Sequence, residues 1–567
     1  MSDHIIFFFY LVIFLLSNIG YGFILVNLCK DNFKKYNFGY LGISGFFVII
    51  IISYFTSYIT PHNYIHNIFL HIIGLSSFYY YYKKNIKDYK IEIKNLFFVF
   101  FIFIIGVYIF KNHDDFGYYH LTYSLNLSEN KLMIGTGHFS HGFRTSSSIF
   151  YYHSTLYMPY IKYYLFHSGP FLVLIYFNYL ILSKIINSYK IQNFDISYFF
   201  SILSFIYVNV VFYRIAEHGT DRSAQIIIFI IFLLLFELIF KKLNNNEKIT
   251  KFNFILIFTF LAASLKVLFI LYTILIPLAY FSKKFYKFYN FKKNLIVITI
   301  CFSSFLFNIT NSFLSTGCFV YPEKKTCIFE KYSWSLSKNE VERLSLHYEW
   351  WAKAGGGPGY EHEMKEDEYV KNFNWLSNWI DRHFFNKVSD TLFGTLFIGF
   401  ITLLAFKAKK KKKFKPKKLY PIYLIILLLF FEWFLKHPSM RYGGYVLFAL
   451  PIFIFVSSYL EKYYINSRKA LISSASIILL TIAIYNFRNI ARFDTEINNY
   501  YNGYQISKSP FFYLPEVKNK IIFNDNDFKI YKPIDNMCWS TPTPCSYRNS
   551  IKVINKNGFK VISRSIN

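Results

Sequence analysis

The sequence predicts a polytopic membrane protein built of α-helices. Of its 567 residues, 54% are hydrophobic and only 17% are charged, whereas roughly 25% of the residues in a soluble globular domain are charged. Aromatic residues make up 23% of the chain. This excludes a disordered protein, because disordered chains are poor in aromatic residues. The apolar residues fall in long runs separated by polar loops, which is typical of a chain that crosses a bilayer repeatedly.

Apolar runs of roughly 17–25 residues, with some shorter ones, mark the candidate spans. The two runs beside Lys266 could instead form one long helix, which would leave thirteen spans rather than fourteen. No small-residue cleavage site follows the first run, so we expect it to remain as a span. The fourteen candidates are residues 5–27, 38–58, 63–82, 93–110, 168–184, 196–213, 223–240, 252–265, 267–282, 293–310, 391–406, 419–435, 442–460 and 470–487.

The distribution of basic residues predicts how the bundle is oriented. The net charge is +30, and most of the excess lies in seven loops on the same side of the fourteen-span map. Basic loops tend to stay in the cytoplasm, so we expect these seven to be cytoplasmic and both termini to be exterior. The seven loops are residues 28–37, 83–94, 184–195, 241–251, 283–293, 407–418 and 461–469.

Three long segments then fall on the exterior side. We expect a transmembrane domain, 1–487, that carries exterior loops 111–167 and 311–390. Residues 488–567 are polar with short apolar runs, which predicts a small exterior C-terminal domain containing a few short strands.

Four of the six cysteines lie in these exterior segments as two close pairs. Because disulfides persist outside the cytosol, we expect the bonds Cys318–Cys327 and Cys538–Cys545. Neither pair has the Cys-x-x-Cys spacing of a zinc site, although free thiols or a metal site remain the alternative.

The second exterior loop contains five tryptophans. Trp375 and Trp379 are four residues apart and therefore share a helix face. The pattern favours an interfacial helix with aromatic anchors. The alternative is a mobile loop that closes over a site, because a glycine-rich stretch lies in the same segment.

Two adjacent carboxylates, Asp114 and Asp115, follow the fourth span directly. Neighbouring carboxylates raise the pKa of one member, which suits a general base. They can also hold a divalent cation such as Mg²⁺ or Mn²⁺ through oxygen ligands. The alternative is a solvated loop start in which an aspartate caps the next helix.

Other ionisable residues map to the same exterior half of the membrane as the aspartate pair. Lys266 interrupts an apolar stretch, where a charge is costly and marks a functional candidate, with snorkelling to the interface as the alternative. The chain has no phosphate-binding loop, no His-Glu-x-x-His and no Gly-x-Ser-x-Gly. The candidates for binding a phosphate or another part of the substrate are His120, His138, His141, Arg144, Asp221, Arg222, Lys266 and Arg441.

Several motifs follow one another over nearly the whole chain. They are Asp115-x-x-x-Tyr119-His120-Leu121, Gly137-His138 through Gly142-Phe143-Arg144-x-Ser146-Ser147, Lys266 after a run of small residues, Tyr321-Pro322, Pro438-x-x-Arg441-Tyr442, and Cys538-Trp539-x-x-Pro542-x-Pro544-Cys545. The acidic pair in the first large exterior loop resembles that of the GT-C superfamily of multipass glycosyltransferases. More closely, the motifs and their order are similar to those of a group of bacterial multipass proteins of mostly unassigned function.

The resemblance implies a GT-C-like bundle and a general base at Asp115 or Asp114. We therefore expect an inverting membrane glycosyltransferase at the exterior (periplasmic) face of a bacterial inner membrane. It would transfer a sugar from a polyprenyl phosphate to a cell-envelope glycan or lipid. Two alternatives remain at this stage, a transporter or flippase of lipid-linked glycans and an O-antigen-type polymerase.

Overall fold

The computed structural model describes residues 3–29, 36–109, 115–145, 147–215, 219–329, 331–354, 364–408, 416–499 and, with short gaps, 506–564. Most of these residues are helical. The α-helices are α1 Asp3–Leu28, α2 Phe38–Ser57, α3 Tyr64–Lys84, α4 Ile86–Phe103, α5 Ile105–Tyr108, α6 Leu121–Glu129, α7 Ser148–Ser154, α8 Ser168–Lys190, α9 Ile196–Val211, α10 Gly219–Phe240, α11 Asn245–Leu265, α12 Leu275–Phe281, α13 Leu295–Thr316, α14 Lys338–Lys353, α15 Glu366–Tyr369, α16 Leu376–Trp379, α17 Ser389–Phe406, α18 Tyr420–Lys436, α19 Gly444–Leu460 and α20 Ser467–Asn499.

The helices form a polytopic membrane bundle, as the composition predicts. Within the described ranges, nine helical stretches are long and apolar enough to cross a membrane, and α9 and α19 are shorter apolar helices. All fourteen candidate spans fall on helical segments. The outward faces of α3, α17 and α20 expose large apolar side chains such as Phe69, Phe393 and Phe487, as expected of helices that face lipid.

The chain reverses direction at Lys266. This residue is extended (φ −147°, ψ 114°) and ends α11. A 3₁₀-helix, Val267–Ile274, and α12 follow. Phe252, in the first half of α11, packs against Phe285 just beyond α12, their ring centroids 5.2 Å apart. The two segments therefore form a hairpin, so the prediction of two spans is correct and the single long helix is wrong.

Several basic loops meet at one end of the bundle, which we call the basic face. Glu237, near the end of α10, pairs with Lys184, Lys241 and Lys251, with Nζ–Oε distances of 2.8, 3.1 and 2.5 Å. Lys283 Nζ donates to the Lys241 carbonyl oxygen at 2.6 Å. Three of the loops that the charge pattern groups on one side are thus joined directly.

Two further basic loops reach the same face. The Ser467 hydroxyl donates to the Gln192 side chain, and Lys469 donates to the Lys407 carbonyl oxygen. Parts of loops 28–37 and 407–418 lie outside the described residues. The long loops after α5 and α13 and the C-terminal segment gather at the opposite end, which we call the site face.

Helices α1, α2 and α3 pack with their backbones almost in contact because glycines lie at the crossings. A Cβ on Gly45 would lie 1.7 Å from the Asn18 carbonyl oxygen, and one on Gly20 would lie 1.8 Å from the Gly74 carbonyl oxygen. Small residues allow such close helix packing in membranes, where dispersion contacts replace the hydrophobic effect between helices.

The C-terminal segment contains the only strands of the described chain. Strand β1 (Asn519–Asp525) pairs antiparallel with β2 (Phe528–Pro533), and β3 (Ile551–Lys556) pairs with β4 (Phe559–Arg564). The short strands expected there are present, and α20 continues beyond residue 487 to Asn499. Both expected disulfides, Cys318–Cys327 and Cys538–Cys545, are formed.

The aromatic pair of the second exterior loop is buried in protein. Trp375 and Trp379 are 2% and 5% exposed, and the Trp379 indole N–H donates to the Pro438 carbonyl oxygen at 2.6 Å. They pack against Phe434 of α18. The expected interfacial anchors are therefore wrong for this pair, because α18 covers the face that was assigned to lipid.

We expect Gly45→Ala to lower the thermal unfolding midpoint of the detergent-solubilised protein. The new Cβ meets the main chain of α1, and overpacking costs about 1–3 kcal/mol or more. The matched control is Gly394→Ala in α17, where a Cβ meets nothing within 4 Å. Equal midpoints for the two variants would contradict the close crossing of α1 and α2.

Candidate active site

Four of the predicted residues form one charge network at the site face. The Arg441 guanidinium donates from Nη2 to Asp115 Oδ2 at 3.1 Å and from Nε to Asp221 Oδ2 at 3.0 Å. Lys266 Nζ lies 2.8 Å from the other carboxylate oxygen of Asp221. The charge network thus alternates acid and base in the order Asp115, Arg441, Asp221, Lys266.

Each member of the charge network comes from a different element that holds it in place. Asp221 lies in the first turn of α10, and Lys266 lies at the reversal after α11. Arg441 belongs to a short 3₁₀ turn, Met440–Tyr442, that follows α18. Gly443, with φ 95°, makes the left-handed turn into α19, a conformation that favours glycine.

The charge network has a buried side and an open side. The Asp221 side chain is only 1% exposed, whereas those of Asp115 and Lys266 are 23% and 28% exposed. Aromatic rings border the open side. The Arg441 guanidinium lies 5.6 Å from the Trp351 ring centre, and Lys266 Nζ lies 5.1 Å from that of Tyr442. Cations over aromatic faces are stabilised by the ring quadrupole.

Arg222 lies beside Asp221 but outside the charge network. Its guanidinium is sandwiched between Phe212 and Tyr445, 4.6 and 4.2 Å from the ring centres. The residue is 8% exposed, and its Nη1 finds no hydrogen-bond acceptor in the described part of the chain. A buried cation without an anion is costly, so this position is suited to an anionic ligand.

One other predicted residue, Arg144, belongs to a second group, which we call the arginine–glutamate cluster and define as Arg144, Glu340 and Arg548. Arg144 Nη2 donates to Glu340 Oε1 at 2.6 Å, and Arg548 donates to the same carboxylate oxygen. The two guanidiniums lower the pKa of Glu340, although its burial opposes them. His138 lies beside this cluster, its Nε2 3.1 Å from the Trp334 carbonyl oxygen.

His141 stands between the two groups. Its Nδ1 lies 3.2 Å from the Tyr118 hydroxyl. Burial lowers the pKa of His141, and its charged form interacts with both Asp115 and Arg144. His120, the remaining predicted histidine, packs against the Phe150 ring with centroids 5.0 Å apart.

The C-terminal segment docks directly onto the loop that carries Asp115. The Trp539 main-chain N–H donates to the Gly117 carbonyl oxygen at 2.9 Å, and a Cβ on Gly117 would lie 2.5 Å from the Trp539 ring. The Tyr547 hydroxyl donates to the Tyr118 carbonyl oxygen at 3.1 Å. The tail motif around the Cys538–Cys545 disulfide therefore positions the backbone beside the candidate base.

The expected metal pair is described only in part. Asp114 and Ser146 lie outside the described residues. Asp115 is engaged by Arg441, and Asp221 by Arg441 and Lys266. No group of three or more His, Cys, Asp or Glu side chains that could hold a metal ion occurs in the described ranges.

The family model for a domain of unknown function, DUF8201, matches residues 4–448. The chain belongs to this family. The matched region of the DUF8201 protein contains all four residues of the charge network and ends before the C-terminal strands. No curated protein and no solved structure gives a significant match.

Sequence reasoning missed several residues of the candidate site. Glu340 joins two arginines that lie far apart in the chain, and its position in the first turn of α14 gives no local signal. Trp351 is one of five tryptophans in the second exterior loop, and nothing in the local sequence distinguishes it from the others. Tyr442 could have been predicted, because it directly follows Arg441 in the Pro438-x-x-Arg441-Tyr442 motif.

We expect Arg441→Ala to destabilise the DUF8201 protein strongly. The substitution leaves the buried Asp221 carboxylate paired with Lys266 alone. Removing one partner of a buried ion pair costs about 3–5 kcal/mol of folding stability. The control is Lys371→Ala, which breaks an exposed ion pair whose side chains are 63% and 57% exposed and should cost about 0–1 kcal/mol. Thermal unfolding in detergent compares the two, and similar losses would place Asp221 in contact with water.

Proposed function

We propose that the protein is an inverting glycosyltransferase that moves a sugar from a polyprenyl phosphate to a cell-envelope glycan or lipid. The observation that carries the proposal is the charge network, in which segments far apart in the chain place one partly open carboxylate, Asp115, beside several cations and aromatic rings. A lipid-linked donor suits a site at the membrane surface because nucleotide sugars are confined to the cytosol.

Asp115 takes the role of general base. It removes the proton from an acceptor hydroxyl while the hydroxyl oxygen forms a bond to the anomeric carbon of the donor sugar. The bond from that carbon to the phosphate oxygen breaks, and its electron pair leaves with the polyprenyl phosphate. Arg441, 3.1 Å from Asp115, favours the ionised carboxylate that this step needs.

Cations beside the base bind the phosphate of the donor and stabilise the charge that develops as it leaves. Arg222 is the first choice, because its guanidinium is buried and its Nη1 has no acceptor among the described residues. It lies in the first turn of α10, a 22-residue helix whose amino end favours an anion. Lys266 and Arg441 supply further donors from the open side.

Trp351 and Tyr442 complete the proposed donor site. Both rings lie over the cations of the charge network, so they offer apolar faces to a sugar ring while the cations hold its phosphate. Arg144 belongs to the arginine–glutamate cluster and His138 lies beside it, so neither is assigned to the donor phosphate. A GT-C-like fold, an inner-membrane location in a bacterium and a periplasmic site face belong to the same proposal.

We expect Asp115→Asn to reduce transfer by at least about 100-fold, because a positioned general base contributes roughly 10²–10⁴-fold. The purified protein is mixed with polyprenyl-phosphate sugars and an envelope acceptor extract, and released polyprenyl phosphate is measured. Asp367→Asn serves as the matched control, since that carboxylate is 57% exposed in an ion pair of the second exterior loop.

Retained turnover in the Asp115→Asn protein would remove Asp115 from the base role. Movement of a labelled donor across vesicles without a new glycosidic bond would favour a flippase. A diphosphate-linked oligosaccharide as the only accepted donor would favour a polymerase instead.

We expect Arg222→Gln to raise the KM for the donor about 10- to 100-fold, since a hydrogen bond to a charged group contributes about 1.5–3 kcal/mol. Arg343→Gln is the control, because Arg343 is exposed on α14. An unchanged KM in the Arg222 variant, with the control also unchanged, would place the phosphate elsewhere.

A further inference from the structure

Several buried polar atoms lie in or beside the arginine–glutamate cluster. His138 Nδ1 and Tyr348 Oη lack a hydrogen bond within the described ranges, and Arg144 Nη1 and Tyr321 Oη have no partner there beyond the contact between these two side chains. Native proteins leave few buried polar groups unpaired. These four belong to three separate segments, so their coincidence indicates a site that binds a polar ligand.

The four groups lie close to one another. Tyr321 and Tyr348 both interact electrostatically with the Arg144 guanidinium and with each other. His138 interacts with Arg144 and with Glu340. Arg144 itself is 3% exposed and Tyr321 is 8% exposed, so their unpaired atoms are shielded from bulk water.

The charge of the cluster favours an anion. Arg144 and Arg548 share the single carboxylate of Glu340, which leaves one positive charge in excess among these three residues. Glu340 occupies Nη2 of Arg144, and the Gly137 carbonyl oxygen accepts from its Nε at 2.9 Å. Nη1 is therefore the donor that remains for a carboxylate or phosphate oxygen.

His138 requires that the same ligand also donates a hydrogen bond. Burial lowers the pKa of His138 to about 4, so the ring is neutral at pH 7. Its Nε2 faces the Trp334 carbonyl oxygen, which only accepts, so Nε2 carries the proton and Nδ1 is an acceptor. A sugar hydroxyl can donate to this nitrogen, whereas an inorganic phosphate dianion has one proton at most to offer.

The cluster adjoins the charge network. Tyr348 interacts electrostatically with Tyr442 and Tyr118 as well as with Arg144. Tyr119, four residues after Asp115, interacts with Asp115, Arg441 and Tyr348. A ligand held at Tyr348 is thus next to the residues that surround the proposed base.

We propose that Arg144, Tyr321, Tyr348 and His138 bind an acidic sugar of the acceptor, with its carboxylate on Arg144 and the phenols and its hydroxyl on His138. The role as acceptor rests on the proposed glycosyl transfer, whereas binding of the acidic sugar does not require it. The uronic acids are the class of sugar that combines a carboxylate with several hydroxyls.

Binding is measured by calorimetric titration of the full-length protein in detergent with three probes, a methyl glucuronide, the matching methyl glucoside and inorganic phosphate. We expect the glucuronide to bind at least tenfold more tightly than either of the other two. Equal affinity for the glucoside would overturn the anionic site, and tighter binding of phosphate would overturn the sugar. Absence of glucuronide binding would overturn the proposal as a whole.

Two variants locate the site without disturbing the Arg144–Glu340 pair. Tyr348→Phe removes a hydroxyl that bonds to no other described group, so we expect stability to be unchanged and glucuronide affinity to fall about tenfold. Tyr321→Phe should lower the affinity to a similar extent, and it also removes the contact of that hydroxyl with Arg144. Tyr160→Phe, at a tyrosine that is 80% exposed, should leave the affinity unchanged. Unaltered affinity in both test variants would overturn the assignment.

The two proposals fail in different ways. The Asp115→Asn protein should still bind the glucuronide. If tyrosine-dependent binding occurs but no donor is turned over, glycosyl transfer fails and the acidic-sugar site stands. If transfer occurs without glucuronide binding, the acidic-sugar site fails and the transferase stands.

Discussion

The architecture of the site depends on the buried carboxylate of Asp221. A carboxylate that is 1% exposed is tolerated only when cations and hydrogen bonds replace the water it has lost. Lys266 and Arg441 provide this compensation from two segments far along the chain. Pairing Asp221 therefore fixes the reversal after α11 and the turn before α19 relative to α10, and it leaves Arg441 in contact with Asp115.

Helix α10 carries a buried carboxylate near each end. Asp221 lies in its first turn at the site face, and Glu237 lies in its last turn at the basic face, where it pairs with three lysines. The helix between them is almost entirely buried. Apolar contacts are not directional, so they do not fix how far a fully buried apolar helix is shifted along its own axis. The ion pairs at the two ends of α10 fix that position.

The second exterior loop and the C-terminal segment play linked roles around this helix. Trp379 holds the Pro438 carbonyl oxygen just before Arg441, while Trp539 and Tyr547 hold the backbone just after Asp115. Arg548 joins the same C-terminal segment to Glu340 of the loop. The two proposed ligand positions, one for a lipid phosphate and one for an acidic sugar, are therefore bordered by the same two segments.

The sequence by itself determined the class of the protein, the helical segments, the grouping of five of the seven basic loops and the two disulfide pairs, because each depends on composition or on local spacing. It also placed Asp115, Asp221, Lys266 and Arg441 at one level of the membrane. It left open whether Lys266 lay in one helix or at a reversal, since periodicity does not report chain direction. Only the tertiary structure showed that Arg144 and His138 lie outside the charge network, that Trp375 and Trp379 are buried, and that Glu340 joins Arg144 to Arg548. These outcomes depend on which distant segments compensate a buried charge, and no local pattern in the chain encodes that choice.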